Sequence, residues 1–336
     1  MLAVSLSEAK KYSNNPVLIA RDIHDEKKNL YYVEDSALPC QNCPEDNPLN
    51  MLTKKQIWSL RKKYKISARV LKKIEKCYKN PNSTEIDLGK ECQSLEVRIF
   101  LEELETAIIS KLKTEVRLGK NTEWIPYYDP EEITTKNMHS TFSGPSSSGK
   151  TTICAKCIKH NFPDAQCWIF GPLVTKDKVW LHLYKDRGKK KIKLIDSDKV
   201  TVPIHLDEIT KKKQNILVCD DPDSMVKMSR NLISDLCSTA LFHGRHKNLL
   251  CMIISHDSFS RQVSSVKAQA CESARSFVFP NIARHVTTKY LKNRLGMSAK
   301  LIAEIYKFVK PADRWLMVKT DHPVLCLTAT GCKLLS

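Results

Sequence analysis

The sequence predicts an α/β fold, with a mostly parallel central sheet flanked by helices, preceded by a basic, mainly helical N-terminal region. Three observations predict it. Beyond residue 121, short apolar runs alternate with helical periodicity. A glycine-framed, serine-rich loop, Gly144 to Thr151, stands between one such run and a helical stretch. A third run, Ile216 to Cys219, ends in two acids, Asp220 and Asp221. Strand–helix alternation builds a parallel sheet covered on both faces, and such sheets bind ligands at the carboxyl ends of their strands.

Taken in order, residues 1–120 form the first region and 121–336 the second. Thr53 with Gln56 makes a capping box, followed at helical spacing by Ile57, Leu60 and Tyr64. Ser67 caps a second helix with Val70, Leu71, Ile74 and Tyr78 on its apolar side and Arg69, Lys72, Lys73, Lys76 and Lys79 mostly on the other. Two short helices, the second cationic, fit either a helix-turn-helix-like DNA contact or a solvated lysine face. A longer helix is expected over Leu95 to Leu118, then a linker from Asn121 to Asn137. Strands are expected at His139–Ser143, Gln166–Phe170, Ile216–Cys219, Leu249–Ser255 and Ser276–Phe279, with a closing hairpin of Trp315–Lys319 and Val324–Leu327. Helices are expected at Lys150–His160 and Ser224–Phe242.

The chain carries 55 Lys and Arg against 37 Asp and Glu, a formal net charge of +18 over 336 residues. The excess is spread along the chain rather than gathered in a tail, which favours a polyanionic partner, duplex DNA first among them. No apolar run approaches the roughly 18 to 20 residues that span a bilayer, and Met1 to Leu6 lacks the pattern of a signal peptide. No membrane partner is expected, and an intracellular location is. Thirteen cysteines without paired spacing read as reduced thiols. Cys40 and Cys43 form one CxxC with no second close pair to complete a zinc site, and Cys154, Cys157 and His160 recur at helix-packing spacing.

Gly144-Pro145-Ser146-Ser147-Ser148-Gly149-Lys150-Thr151 fits GxxxxGK[ST] at every fixed position. Such a loop wraps a triphosphate with inward-pointing backbone N–H groups, so its residues must be small. The helix beginning at Lys150 offers its positive end to the phosphates. Lys150 then reaches the β- and γ-phosphates and Thr151 ligates Mg²⁺, with Thr152 beside them. These residues identify a P-loop NTPase, with ATP and Mg²⁺ as the expected cofactors. The apolar run before Asp220 is what a Walker B strand needs: Asp220 holds the metal and Asp221 orients or deprotonates the attacking water.

The next strand carries a third signal, His243-Gly244-Arg245-His246-Lys247-Asn248 leading into Leu249 to Ser255, then His256 and Asp257. A polar residue at its end, His256, can touch the γ-phosphate. Arg245, at its start, fits either an arginine finger for a neighbouring subunit or a salt-bridged surface residue.

Together, GPSSSGKTT, ILVCDD and GRHKNLLCMIISHD resemble the FtsK–HerA superfamily, specifically its poxvirus-type genome-packaging ATPases of large DNA viruses and virus-like transposons. The resemblance covers roughly Phe142 to Phe279; the loop alone is generic, whereas the ordered trio with its GRH-N element, Gly244, Arg245, His246 and Asn248, is specific. It implies a homo-oligomeric ring that pumps double-stranded DNA into a capsid, with capsid proteins as further partners, in a host nucleus or cytoplasmic virus factory and in the virion. The chain departs from the pattern at two positions. His256 stands where a glutamine is usual, and Asp221 where glutamate is frequent. Under this reading Lys185, Arg187, Lys189, Lys190, Lys191, Lys193 and Lys211 to Lys213 grip phosphates in a ring lumen, although the first cluster equally fits an import signal or a loop. A P-loop kinase with that cluster as its lid, a hexameric helicase and a DNA-binding scaffold with a degenerate site remain as alternatives.

Overall fold

A computed structural model describes residues 2–6, 16–25, 28–34, 52–79, 94–109, 115–117, 123–130, 138–210, 214–256, 273–321 and 324–335. Cys40, Cys43, Lys211 to Lys213 and Asp257 lie outside them. The chain forms two compact units, Met1–Ile19 with Lys27–Val116, and Ala20–Glu26 with Arg117–Ser336.

The first unit holds three helices and, unanticipated in the sequence, strands as well. β1 (Leu2–Leu6) pairs antiparallel with β3 (Asn29–Glu34), while β2 (Pro16–Asp22) has its residues to Ile19 in the first unit and those from Ala20 in the second. The capping box of Thr53 and Gln56 starts α1 (Lys54–Lys63), and the Ser67 hydroxyl accepts the Val70 N–H at the start of α2 (Ala68–Lys79). Ile66, Ile74, Val97, Phe100 and Leu104 form the core between these helices and α3 (Leu95–Ile109). The third helix is shorter than expected. Residues 115–117 are extended instead, as β4 (Glu115–Arg117), where Val116 is buried and the Arg117 guanidinium donates to the Phe308 carbonyl at 2.8 Å.

In the second unit β5 (Trp124–Pro126) pairs with Ala20–Asp22 and is wholly buried, so this part of the expected linker is a structural strand. The main sheet comprises β6 (Ser140–Ser143), β7 (Gln166–Gly171), β8 (Ile192–Asp196), β9 (Asn215–Asp220), β10 (Leu249–Ser255), β11 (Arg275–Val278), β12 (Leu316–Lys319), β13 (Leu325–Thr328) and β14 (Gly331–Leu334). Their order is β14-β13-β12-β11-β6-β10-β9-β7-β8. The six from β11 to β8 are mutually parallel, and β12 to β14 continue the sheet antiparallel. β8 and β14 escaped the sequence reading: β8 begins in the lysine cluster, and its Ile192, Leu194 and Ile195 are interrupted by Lys193 and followed at once by Asp196.

Helices cover both faces. On β10, Leu249, Cys251 and Ile253 pack with Ile233, Leu236 and Cys237 of α7 (Lys227–His243). Met252, one residue out of phase and so on the opposite face, meets Cys154 of α4 (Lys150–Asn161), sulfur to sulfur at 3.7 Å. Three further helices, α5 (Lys178–Arg187), α6 (Leu206–Ile209) and α8 (Arg284–Asn293), precede α9 (Ala299–Phe308). Tyr290 and Leu291 of α8 with Ile302, Ile305 and Phe308 of α9 cover the β11–β13 end of the sheet. α7 starts three residues later than expected because Pro222–Ser224 form a 3₁₀ turn.

β6 is weakly apolar, yet all four of its residues are buried. Their hydroxyls pair with one another's neighbours, as buried polar groups must: Ser140 with the Tyr128 hydroxyl at 2.8 Å, and Thr141 with Ser276, which in turn meets Tyr290 at 2.9 Å. Cys154 and Cys157 are fully buried, and burial pushes both thiols up, Cys157 to about 12. They pack the α4 interface, and no group of three or more potential metal-ligating side chains occurs among the described residues.

Candidate nucleotide site

The sheet order places β10 between the strand that feeds the glycine-rich loop, β6, and the strand that ends in the acid pair, β9. Registers Ile254↔Asp220 and Ser255↔Ser143 bring the three carboxyl ends level. Residues far apart in sequence, 144–151, 220–221 and 256, therefore meet at one edge of the sheet.

The loop Gly144–Gly149 turns from β6 into α4. A Cβ on Gly144 would lie 2.6 Å from the buried ring of Phe279, the residue after β11, so the close packing of the loop on that ring favours glycine there. Gly149 has φ +100, a conformation that L residues avoid, and it precedes α4 without any side-chain cap. The first-turn N–H groups of α4, including those of Thr151 and Thr152, are thus left for an anion. Ser147 also adopts positive φ (61°), Ser146 and Ser147 are exposed, Pro145 is half-buried, and the buried Ser148 hydroxyl has no partner among the described residues. Gly149→Ala is expected to cost about 1–2 kcal/mol through backbone strain and to weaken nucleotide binding at least tenfold. Thermal melting together with titration of a fluorescent ATP analogue checks both.

Lys150 is buried, and its ammonium donates to the Gly144 and Pro145 carbonyls at 2.7 and 2.8 Å and to His256 Nδ1 at 3.4 Å. Burial lowers its pKa, opposed by Asp221 and Asp220. An ammonium can only donate, so Nδ1 accepts and the ring N–H lies on Nε2. From there it faces Asp221 Oδ2 at 3.2 Å. His256 thus links the loop lysine to the second acid in a single chain of polar contacts.

Asp221 sits at φ 55, ψ 57, with its N–H on the Ile254 carbonyl at 2.9 Å. Its Oδ2 also accepts the Ser224 hydroxyl at 2.6 Å, while Oδ1 is buried without a partner among the described residues. Asp220 Oδ2 accepts the indole N–H of Trp180 at 2.7 Å. Burial pushes the Asp220 carboxyl up to about 6, the Trp180 hydrogen bond opposes this, and the negative charges of Asp177 and Asp221 reinforce it. A carboxyl this starved of solvation and crowded by like charge fits a hard divalent cation, as does the Thr151 hydroxyl in the first turn of α4.

Arg245 is not brought to this edge. It lies exposed in the 3₁₀ turn Gly244–Lys247 that precedes β10, separated from His256 by that strand's seven residues, or about 23 Å. No described carboxylate forms a salt bridge with it. The rest of the GRH-N element has local reasons. A Cβ on Gly244 would approach the Leu249 carbonyl at 2.9 Å, and Asn248 takes φ 51 to turn the chain into β10. The lysine cluster is an ordered helix end, turn and strand. Arg187 donates to the Pro163 and Ala165 carbonyls, Lys191 pairs with Asp164, and Lys193 covers the Trp168 ring. Lys185, Lys189 and Lys190 remain exposed.

Sequence reasoning missed Asp177, Trp180 and Ser224. Asp177 was legible as the N-cap of an apolar-periodic stretch. Nothing local announces that Trp180 reaches Asp220, forty positions on.

No protein-family profile matches the chain. It is 26% identical over 199 residues to the uncharacterized protein V3 of Sputnik virophage, covering 57% of this chain and 75% of that protein. Among solved structures, it is similar to the pCW3 conjugation coupling protein TcpA in its monomer form with ATPγS, at 12% identity and a TM-score of 0.38 over 65% of each chain. It is likewise similar to the cytoplasmic domain of the Thermomonospora curvata type VII secretion ATPase EccC, at 10% identity and a TM-score of 0.35, over 73% of this chain and 32% of that one. The α/β fold assigned here rests on the chain's own strand order.

Proposed function

We propose that the chain is a Mg²⁺-dependent ATPase that works as a homo-oligomeric motor on double-stranded DNA, packaging a viral genome into a capsid. The observation that carries the ATPase reading is the contact chain Lys150–His256–Asp221 at the level carboxyl ends of β6, β10 and β9. Lys150 and the uncapped first turn of α4 would receive the β- and γ-phosphates. Asp221 Oδ1, the buried oxygen without a partner among the described residues, would accept the proton of the water attacking the γ-phosphorus. Ser224 and His256 occupy its other oxygen and hold the carboxylate in place. Bound Mg²⁺, held by Thr151 and Asp220, would neutralise charge on the phosphate oxygens.

The motor reading is supported by the net charge of +18, by the exposed Lys185, Lys189 and Lys190, and by the exposed Arg245 at the sheet edge away from its own nucleotide site. The virophage relative supports a viral setting, and the resemblance to packaging ATPases supplies the cargo. No helix among the described residues is long and apolar enough to cross a membrane.

The test is ATP turnover with and without duplex DNA, at rising salt, with the assembly state monitored. Duplex should stimulate the assembled protein several-fold, and the stimulation should fall steeply with salt. Strand displacement should be absent. Hydrolysis indifferent to DNA in an assembled oligomer would remove the motor; no hydrolysis at all would remove the ATPase.

A further inference from the structure

We propose that Trp180 is a positioning residue for the metal site: its indole N–H holds one oxygen of Asp220 so that the other is presented to the Mg²⁺ of bound nucleotide. The inference rests on the ATPase reading above and assigns the metal a partner shell that the loop and the acid pair do not supply.

Three observations converge on it. First, Nε1 of Trp180 donates to Asp220 Oδ2 at 2.7 Å, a short, charge-assisted bond, and it is the only hydrogen bond that Asp220's side chain makes among the described residues. Oδ1 is left without a protein donor. Second, the indole cannot move away easily. Trp180 is fully buried, and Asp177 at the N-cap of α5 accepts the N–H groups of both Val179 and Trp180, at 2.7 and 3.2 Å, which fixes the helix start that carries the ring. Third, the other side of Asp220 is walled in by backbone. A Cβ on Gly171, at the end of β7, would lie 2.6 Å from the Asp220 carbonyl and 3.2 Å from its Cβ, so β7 and β9 approach as closely as glycine allows. The indole thus holds the carboxylate, while β7 fixes the backbone and Cβ that carry it.

A buried indole N–H finding an acceptor is in itself ordinary. Here the choice of acceptor is informative, because Trp124 and Trp168 bury their own N–H groups without any partner among the described residues. This chain does not satisfy every buried indole, yet it directs one at the acid that the nucleotide chemistry needs. Groups that hydrogen-bond a metal ligand from behind fix its orientation, and losing one typically costs about 10–100-fold in metal affinity.

Trp180→Phe keeps a buried ring and deletes the N–H. It is expected to raise the Mg²⁺ concentration for half-maximal turnover about tenfold, while binding of a fluorescent ATP analogue in EDTA stays within about twofold of wild type. A purely structural role would instead lower melting temperature and nucleotide binding together and leave the Mg²⁺ midpoint in place. Trp168→Phe, a buried indole N–H with no carboxylate, serves as the control and should not move that midpoint. An unchanged midpoint in Trp180→Phe, in protein that still turns over, would overturn the proposal and leave the ATPase reading intact.

Should Trp180→Phe fail to fold, the wild-type indole ¹⁵N–H resonances decide, with each of the five tryptophans assigned by elimination. The Trp180 signal should shift when Mg²⁺ is added to protein already saturated with a non-hydrolysable ATP analogue. A signal that shifts with nucleotide and not with Mg²⁺ overturns the role. Wild-type protein that neither binds nor hydrolyses ATP removes the reading on which the role depends, a result distinct from either.

Discussion

Asp221→Asn is expected to lower ATP turnover about 10³-fold, within the 10²–10⁴ range typical of a lost general base, while ATP binding changes by less than about threefold. The structure makes this substitution unusually clean. Asp221 occupies a left-handed backbone position, φ 55 and ψ 57, and asparagine is the side chain other than glycine that tolerates it best. The amide oxygen can still accept from Ser224, which donates to Oδ2 at 2.6 Å. What the amide cannot do is take a proton from water. Lys150 loses one of the two carboxylates that oppose the depression of its pKa, but it keeps its bonds to the Gly144 and Pro145 carbonyls, so the loop should hold its shape. Turnover in the steady state, paired with equilibrium binding of a fluorescent analogue, separates the two effects. More than about a tenth of wild-type turnover would remove Asp221 as the base and leave its contact with His256 as a tether only.

The parts of this site that were legible in the sequence are those whose chemistry is local. A phosphate loop is contiguous because backbone amides must surround one ligand, so Gly144 to Thr151 could be read as a block. Its two glycines have different reasons: Gly149 for positive φ and Gly144 for contact with the Phe279 ring. An apolar strand ending in acids is local as well. β9 and β10 were legible because strands buried on both faces run continuously apolar.

What could not be read depends on neighbours supplied by the fold. β6 carries three hydroxyl residues, and its burial is possible only because Tyr128, Ser276 and Tyr290 bring partners from elsewhere. β8 begins inside a lysine cluster whose charges are answered by Asp164 and the Trp168 ring. The N-terminal strands gave no alternating signal strong enough to set against the helices. Nothing in the sequence around Trp180 points to Asp220, and the pairing of β7 with β9 brings α5 there.

Arg245→Ala should abolish hydrolysis in the assembled protein, with a loss of about 10³-fold or more, the scale of an arginine finger, and leave each subunit's own nucleotide affinity intact. The prediction follows from position. Arg245 is exposed ahead of β10, about 23 Å of strand from the His256 end, so within one subunit its guanidinium cannot serve the phosphates bound beside Lys150. Serving a neighbour's nucleotide requires only that subunits meet edge to edge. The local structure lets the variant isolate this role. Arg245 forms no salt bridge among the described residues, whereas the neighbouring fold features, Gly244 against the Leu249 carbonyl and Asn248 at φ 51, do not depend on its side chain. Removing it should therefore leave melting unchanged. One neighbour feels the loss: His139, buried on the same side, is pushed down to about 4 chiefly by burial and in lesser part by the Arg245 charge. Its ring accepts the Cys251 N–H in either case. Mixing separates a finger in trans from a residue acting within its own subunit. Arg245→Ala, which keeps a sound acid pair, is combined with Asp221→Asn, which keeps the arginine. Each is inactive alone. In a mixed ring, an intact arginine would face an intact acid wherever the two kinds of subunit adjoin in the right order, and hydrolysis should return. Mixtures that assemble and stay inactive would take the arginine out of the neighbour's site, and with it the reason for this chain to work as a ring.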